Sequence, residues 1–267
     1  MVASPTSKPQ AWPGRVGVLA ALPSELGWLR APAREDPAHI DSTPVDASNA
    51  FDERAGQPCP RGVSLSCHRV PGGGPELLAA VGGVGKVRAA MTASTLIERG
   101  ARMLLVVGTC GALSARDLVG DLILADEAVQ WDLSVRAGRR LAADTTLSQA
   151  WLQAAPRARH GVLLTADHPV LGHGARRRRR RHALRGLELP ASSVLAAEME
   201  TAAVGAVATA HGIPWAALRV ISDRPLRALE RLTPGRSAQS SFSANFERVA
   251  SLPAETLKRF PWKRFTN

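Results

Sequence analysis

Short apolar stretches without a helical period recur along this chain of 267 residues. "RVGVLAAL" (15–22), "ELLAAVGG" (76–83), "MLLVVGTCG" (103–111), "DLILADEA" (121–128), "GVLLTAD" (161–167), "SVLAAE" (193–198) and "WAALRVISD" (215–223) have the length and continuity of strands covered on both faces. Between them, "KVRAAMTASTLIERG", "TLSQAWLQAA" and "METAAVGAVATAHG" read as helices, the last stopped by Gly212 and Pro214. The alternation predicts a wound α/β sheet. Two segments break it. Residues 31–62, rich in Pro, Asp, Ala and Gly, predict a long irregular insertion, and 168–192 predict an Arg-rich helix near the mouth of a site. We expect a disordered leader over 1–14, one domain over 15–252 and a C-terminal tail over 253–267.

Composition narrows the class. The beginning of the chain lacks the apolar run of a signal peptide, and no window of about 18 uncharged apolar residues occurs elsewhere. The expectation is a cytoplasmic protein without a transmembrane segment. Cys59, Cys67 and Cys110 are too few and too scattered for a disulfide framework or a zinc pair, so reduced thiols are expected, with Cys110 a small buried residue rather than a nucleophile. The net charge of +11 falls to +5 without the run Arg176 to Arg181. Because no aromatics are interleaved with it and no recognition module surrounds it, the run reads as a solvated basic helix face, and nucleic acid is not the expected partner. His168, His173 and His182 flank the run without ligand-like partners; no metal and no cofactor are expected.

Carboxylates at the ends of apolar runs carry the chemistry. Glu25 follows the first run, Glu198 and Glu200 follow the sixth, and Asp223 closes the seventh. Ligands of α/β sheets collect beyond strand ends, and unpaired buried acids are costly, so acids gathered there mark a cleft. The turns "VGGVGK" and "VGTCGAL" let backbone approach a ligand closely. "GGVGK" is neither a dinucleotide fingerprint nor a P-loop, and Lys86 reads as the start of a helix. Glu25 alone, in "LPSEL", would be a first-turn helix carboxylate with Ser24 as a possible cap.

The pieces "VGVLAALPSEL", "GGVGKVRAA", "GTCGAL", "VGDLILADEAVQWD", "LLTAD", "AAEMETAAV" and "LRVISD", in this order, resemble the nucleoside phosphorylase and nucleosidase superfamily (purine and uridine phosphorylase family 1). Within it the resemblance is to the 5'-methylthioadenosine/S-adenosylhomocysteine nucleosidases, and it covers residues 15 to about 225. It implies an α/β three-layer sandwich with a mixed, barrel-like central sheet flanked by helices, and a homodimer acting on a small-molecule nucleoside. It also implies that Glu25 orients or deprotonates the attacking water, Glu200 grips the ribose hydroxyls and Met199 packs against the sugar. Asp223, supported by Ser222, would deliver a proton toward purine N7, and Arg219 would stand near the water. Glu198 opens the same motif with a structural role open to it. Val170 offers backbone polar groups to the base, and Gly83, Thr109 and Gly111 complete the expected binding set.

The implied reaction is hydrolysis of the N-glycosidic bond of an adenine nucleoside such as methylthioadenosine or adenosylhomocysteine. Phosphate-using relatives place arginines before the "GTCGA"-like turn and after the first strand; this chain has Val106, Val107 and "LPSEL" there, which favours water. A phosphate-dependent phosphorylase remains the alternative, because Thr109 can hydrogen-bond a phosphate oxygen. "ADHPVLG" puts Pro169 where the nucleosidases stack an aromatic residue on adenine, and "RPLRALERLTPGR" departs from the segment enclosing the 5'-thioalkyl group. The pattern Asp-x-Pro-Val, with "SDRPLRAL", is also similar to hopanoid-associated nucleosidases acting on an adenosyl lipid. A non-catalytic relative binding a polyanion through 176–181 is a further alternative.

Overall fold

Continuous Val, Leu and Ala runs become strands because both of their faces are covered. The computed structural model describes residues 14–30, 60–70, 74–134, 139–190, 193–225 and 246–265. In chain order it contains β1 (Arg15–Ala20), α1 (Pro23–Leu26), β2 (Ser64–Arg69), β3 (Glu76–Val81), α2 (Lys86–Glu98), β4 (Ala101–Ala112) and β5 (Leu122–Gln130). There follow β6 (Arg140–Ala142), α3 (Thr145–Ala154), β7 (Arg159–Thr165), α4 (His173–Gly186), β8 (Val194–Glu198), α5 (Thr201–Ala210), β9 (Trp215–Asp223) and a short helix at Leu252–Thr256. β9 is buried at every position, as a continuous apolar run requires. The expected leader apart from Gly14, and residues 31–59 of the insertion, lie outside the described residues.

The strands run in the order β2-β3-β1-β4-β8-β7-β5-β6, and β9 bonds to both β4 and β5. β4, β8, β7, β5 and β9 therefore close into a ring. The ring is mixed: β4 is parallel to β9 and antiparallel to β8, and β5 is parallel to β7 and antiparallel to β9. This is the barrel-like central sheet the motif order implied. Helices α2 and α5 pack over one side, α3 with the C-terminal segment over another, and α4 over a third cluster through Ala183 and Leu187. Among the described residues no helix is long and apolar enough to cross a membrane.

Three features differ from expectation for identifiable reasons. β2 escapes the apolar pattern because it pairs with β3 alone and its residues are mostly half-buried, with Ser66 and His68 hydrogen-bonded to each other. β6 has three residues, too few to register a period. The C-terminal segment set apart as a tail is core: Phe260, Trp262 and Phe265 are at most 5% exposed, and the ring of Phe260 meets Trp151 of α3 edge-on. Trp151 Nε1 donates to Thr256 Oγ1 at 2.8 Å, which ties α3 to the end of the chain.

Removing the ring of Phe260 empties the centre of that cluster. Phe260→Ala should therefore lower unfolding stability in urea by about 3–5 kcal/mol; a loss under about 1 kcal/mol would mean that the segment is only loosely docked.

Candidate active site

The chain turns sharply after β1, where Pro23 starts the single turn α1 and carries Glu25 back under the strand end. Four protein donors reach this buried carboxylate. Ala21 N and Leu22 N donate to Oε2 at 3.1 and 3.0 Å, and Thr109 N and Oγ1 donate to Oε1 at 2.8 and 2.9 Å. Thr109 belongs to β4, so this one side chain clips the first turn to the ring.

Glu198, at the end of β8, has its oxygens committed to the protein. Its Oε2 accepts from Glu200 N at 2.9 Å, Thr201 N at 2.7 Å, Thr201 Oγ1 at 2.8 Å and Arg219 Nη2 at 2.7 Å, while Oε1 accepts from Thr165 Oγ1. A carboxylate here satisfies the first free N–H groups of α5 and complements that helix's positive end. Glu198 is thus a structural anchor, the role left open for it. Glu200 keeps more freedom: Oε1 accepts from Gly85 N at 3.0 Å and Oε2 lies 3.4 Å from Arg219 Nη2. Burial pushes the Glu200 carboxyl up to about 7; Arg219 opposes that rise, and the Glu198 and Glu25 charges add to it.

Arg219 on β9 is 1% exposed. Burial alone would lower it, but the carboxylates of Glu198, Glu200 and Glu25 outweigh that and hold its guanidinium charged. Gly108 makes room for this cluster. Its φ is +148°, and a Cβ there would lie 2.4 Å from Arg219 Nη1 and 2.8 Å from Glu25 Oε1. The close approach expected of "VGTCGAL" thus serves a buried ion cluster at this position.

One cavity of about 680 Å³ gathers most of the expected residues. Glu25, Thr109, Gly111, Val170, Glu198, Met199, Glu200, Ser222 and Asp223 all line it. Two do not. Arg219 is sealed behind Glu198 and Glu200, so it acts on the cavity only through its partners. Gly83 forms the turn after β3, donating to Ala21 O at 3.0 Å with its open face against Arg88. Burial pushes the Cys110 thiol up to about 12, so it is an inert buried residue. Lys86 starts α2 and pairs with Asp132 at 2.6 Å.

Among the lining residues that the sequence reading did not name for the site are a buried cation and an aromatic ring, Arg176 and Phe246. Arg176, the first of the six-arginine run, is 3% exposed and enters the cavity from α4. Its Nη2 donates to Asp223 Oδ2, and its Nη1 donates to Ala112 O at 3.0 Å and Asp223 O at 3.2 Å. The run is therefore not a uniformly solvated face. Phe246 supplies an aromatic ring to a cavity whose wall also carries Pro169.

The chain thus combines a closed mixed α/β ring with a cavity at the strand ends lined by Glu25, Glu198, Glu200 and Asp223. The chain belongs to the phosphorylase superfamily, whose family model matches residues 15–260. It is similar to the 5'-methylthioadenosine/S-adenosylhomocysteine nucleosidase of Mycobacterium tuberculosis, 28% identical over 247 residues that span 78% of this chain and 85% of the relative. It is also similar to the aminodeoxyfutalosine nucleosidase of Campylobacter jejuni, 30% identical over 56% of this chain and 68% of the relative. The fold is shared with the Helicobacter pylori 5'-methylthioadenosine/S-adenosylhomocysteine nucleosidase in complex with butyl-thio-DADMe-Immucillin-A, at TM-score 0.70 and 20% identity, over 93% of this chain and 97% of that one.

Deleting the Arg219 charge leaves Glu198 and Glu200 buried without their cation. Arg219→Met should cost about 3–5 kcal/mol in urea unfolding. A variant as stable as the parent would show that the three charges do not depend on one another.

Proposed function

We propose that the chain is a nucleosidase that hydrolyses the N-glycosidic bond of a purine nucleoside, with water as the nucleophile. The observation that carries this reading is the convergence of Glu25, Glu200 and Asp223 on one cavity. Breaking the bond leaves positive charge on the sugar and negative charge on the base. Glu200, the least committed of the carboxylates, faces the sugar and accepts from the ribose hydroxyls. Glu25 fixes the water on the opposite side of the anomeric carbon. Three of its four donors are backbone amides, but the Thr109 hydroxyl can rotate and yield its place on Oε1 to that water.

Water is favoured over phosphate by the charges around Thr109. Val106 and Val107 are fully buried in β4, and the carboxylate of Glu25 occupies the Thr109 donors a phosphate would use. The relatives named as methylthioadenosine/adenosylhomocysteine and aminodeoxyfutalosine nucleosidases support an adenine nucleoside with a substituent at the 5' carbon.

Purified protein should release adenine from methylthioadenosine or adenosylhomocysteine in phosphate-free buffer. Glu25→Gln should cut kcat by about 10² to 10⁴-fold. Strict dependence on phosphate would transfer the chain to the phosphorylases, and no base release from any purine nucleoside would remove the reading.

The ionised form of Glu200 is the one that accepts two hydroxyls. Because its carboxyl is pushed up to about 7, kcat/KM should rise as pH increases through 7, and Glu200→Gln should flatten that limb. Stability moves the opposite way. A carboxyl raised in the folded state contributes stability below its unfolded value of about 4.3 and loses it as pH rises through the folded one. Urea titrations of parent and Glu200→Gln between pH 4.5 and 8 should differ by that slope.

A further inference from the structure

We propose that a second cavity, on the outer face of α4, binds a soluble small molecule that carries two or more phosphate groups. Its volume is about 660 Å³, in the range of small-molecule sites. His168, Pro169, Val170 and Leu171 line both this cavity and the acidic one, so the two ligands would share a wall without sharing a site.

Helical phase builds the cationic side. Ala175, Arg178, Arg179, His182 and Arg185 recur at steps of three and four along α4, which puts them on one face, and Arg181 also reaches the cavity. Four guanidinium groups and two imidazoles, those of His168 and His182, therefore line one wall, and no carboxylate lines it among the described residues. Arg178, Arg181 and Arg185 stand three and four residues apart, a spacing at which like charges cost stability. Among the described residues no carboxylate pairs with any of these three. Arg179 feels the charge of Asp132, but that carboxylate is already bonded to Lys86 Nζ at 2.6 Å and Asp167 N at 2.7 Å. Nη1 of Arg179 is buried with no hydrogen-bond partner among the described residues.

Phosphate groups answer this wall. Each brings a charge of about −1.5 to −2 at neutral pH, and the guanidinium fork meets its oxygens in pairs. A ligand with several such groups can neutralise cations spread along three turns of helix. A nucleic acid fits less well. The one aromatic ring beside the wall, Trp131, has Arg139 and Arg179 at 5.1 and 5.3 Å from its centre and the edge of His182 against it, so it offers no free face for a base to stack on.

The probe is sodium tripolyphosphate, followed by titration calorimetry in about 0.15 M salt, where exposed charges are largely screened. The parent should bind one molecule per chain with Kd below about 100 μM. The triple variant Arg178→Gln, Arg181→Gln, Arg185→Gln should bind about 30-fold more weakly or worse, and Arg181→Gln alone several-fold more weakly. All three positions are exposed, so the midpoint of urea unfolding should not move. Arg179 is left intact because it covers Trp131. A control triple, Arg102→Gln, Arg116→Gln, Arg157→Gln, removes as much charge from exposed positions outside the cavity and should leave Kd within about 3-fold.

Equal weakening by the two triples would reduce the effect to net charge and overturn the proposal. So would the absence of binding below about 1 mM, or several tripolyphosphates per chain. Citrate bound as tightly would show that the wall does not select phosphate and overturn the ligand class. Tighter binding to a single-stranded oligonucleotide or to phosphatidylserine vesicles would make α4 a macromolecular surface and overturn it as well. The measurement needs no turnover, so the site stands or falls apart from the nucleosidase reading.

Discussion

The guanidinium of Arg219, sealed beneath the cavity, is the interaction on which the rest of the site depends. It lies 2.7 Å from Glu198 and 3.4 Å from Glu200, and its charge also acts on Glu25. Three carboxylates cannot be buried in one region without a cation, because each unpaired charge carries a desolvation cost of several kcal/mol. β9 supplies that cation from the middle of the ring, and Gly108 of β4 leaves the space it fills. Closure of the sheet and placement of the acids are therefore one requirement: the strand that closes the ring also carries the charge that makes the cavity tolerable.

The same cluster divides labour between acids that look alike in sequence. Glu198 and Glu200 are two residues apart, yet one is saturated by donors and the other is held by one backbone amide and a long contact to Arg219. The difference follows from position. Glu198 ends β8 and accepts from Glu200 N and Thr201 N at the start of α5, whereas Glu200 is the N-cap residue of that helix and accepts from Gly85 N instead. A saturated carboxylate anchors, and a less committed one is available to a ligand. Arg219 thus sets the geometry of Glu200 without touching the cavity.

Much of the architecture was legible because continuous burial leaves a plain trace. All seven apolar runs became strands, and the three helical stretches became α2, α3 and α5. β2 was not legible, since an edge strand with Ser64, Ser66 and Arg69 carries no apolar run. The end of the chain was misread because "RFPWKRF" places cations between its aromatics, and only the packing of Phe260, Trp262 and Phe265 against α3 shows which of those residues matter. Nine of the cavity's lining residues were named from motif order, while Gly83 and Arg219 do not line it, because a motif gives proximity in the chain and not the direction of a side chain.

Arg176 shows where charge counting fails and helical phase succeeds. Six consecutive arginines suggest a single property, yet a helix turns about 100° per residue, so they cannot share one environment. Ala183 and Leu187 are the buried apolar positions of α4 and its cap, and stepping back by seven from Ala183 reaches Arg176 on the same face. A residue on that face either loses its hydration or finds a partner. Here the partner is Asp223, brought to the same spot by β9, and the pairing converts one member of a solvated run into part of the cavity wall. Arg177, Arg178 and Arg181 are exposed, whereas Arg179 is half-buried with its guanidinium 5.3 Å from the centre of the Trp131 ring. Mutating the run as a unit therefore mixes a cavity residue with neighbours that sit in different environments.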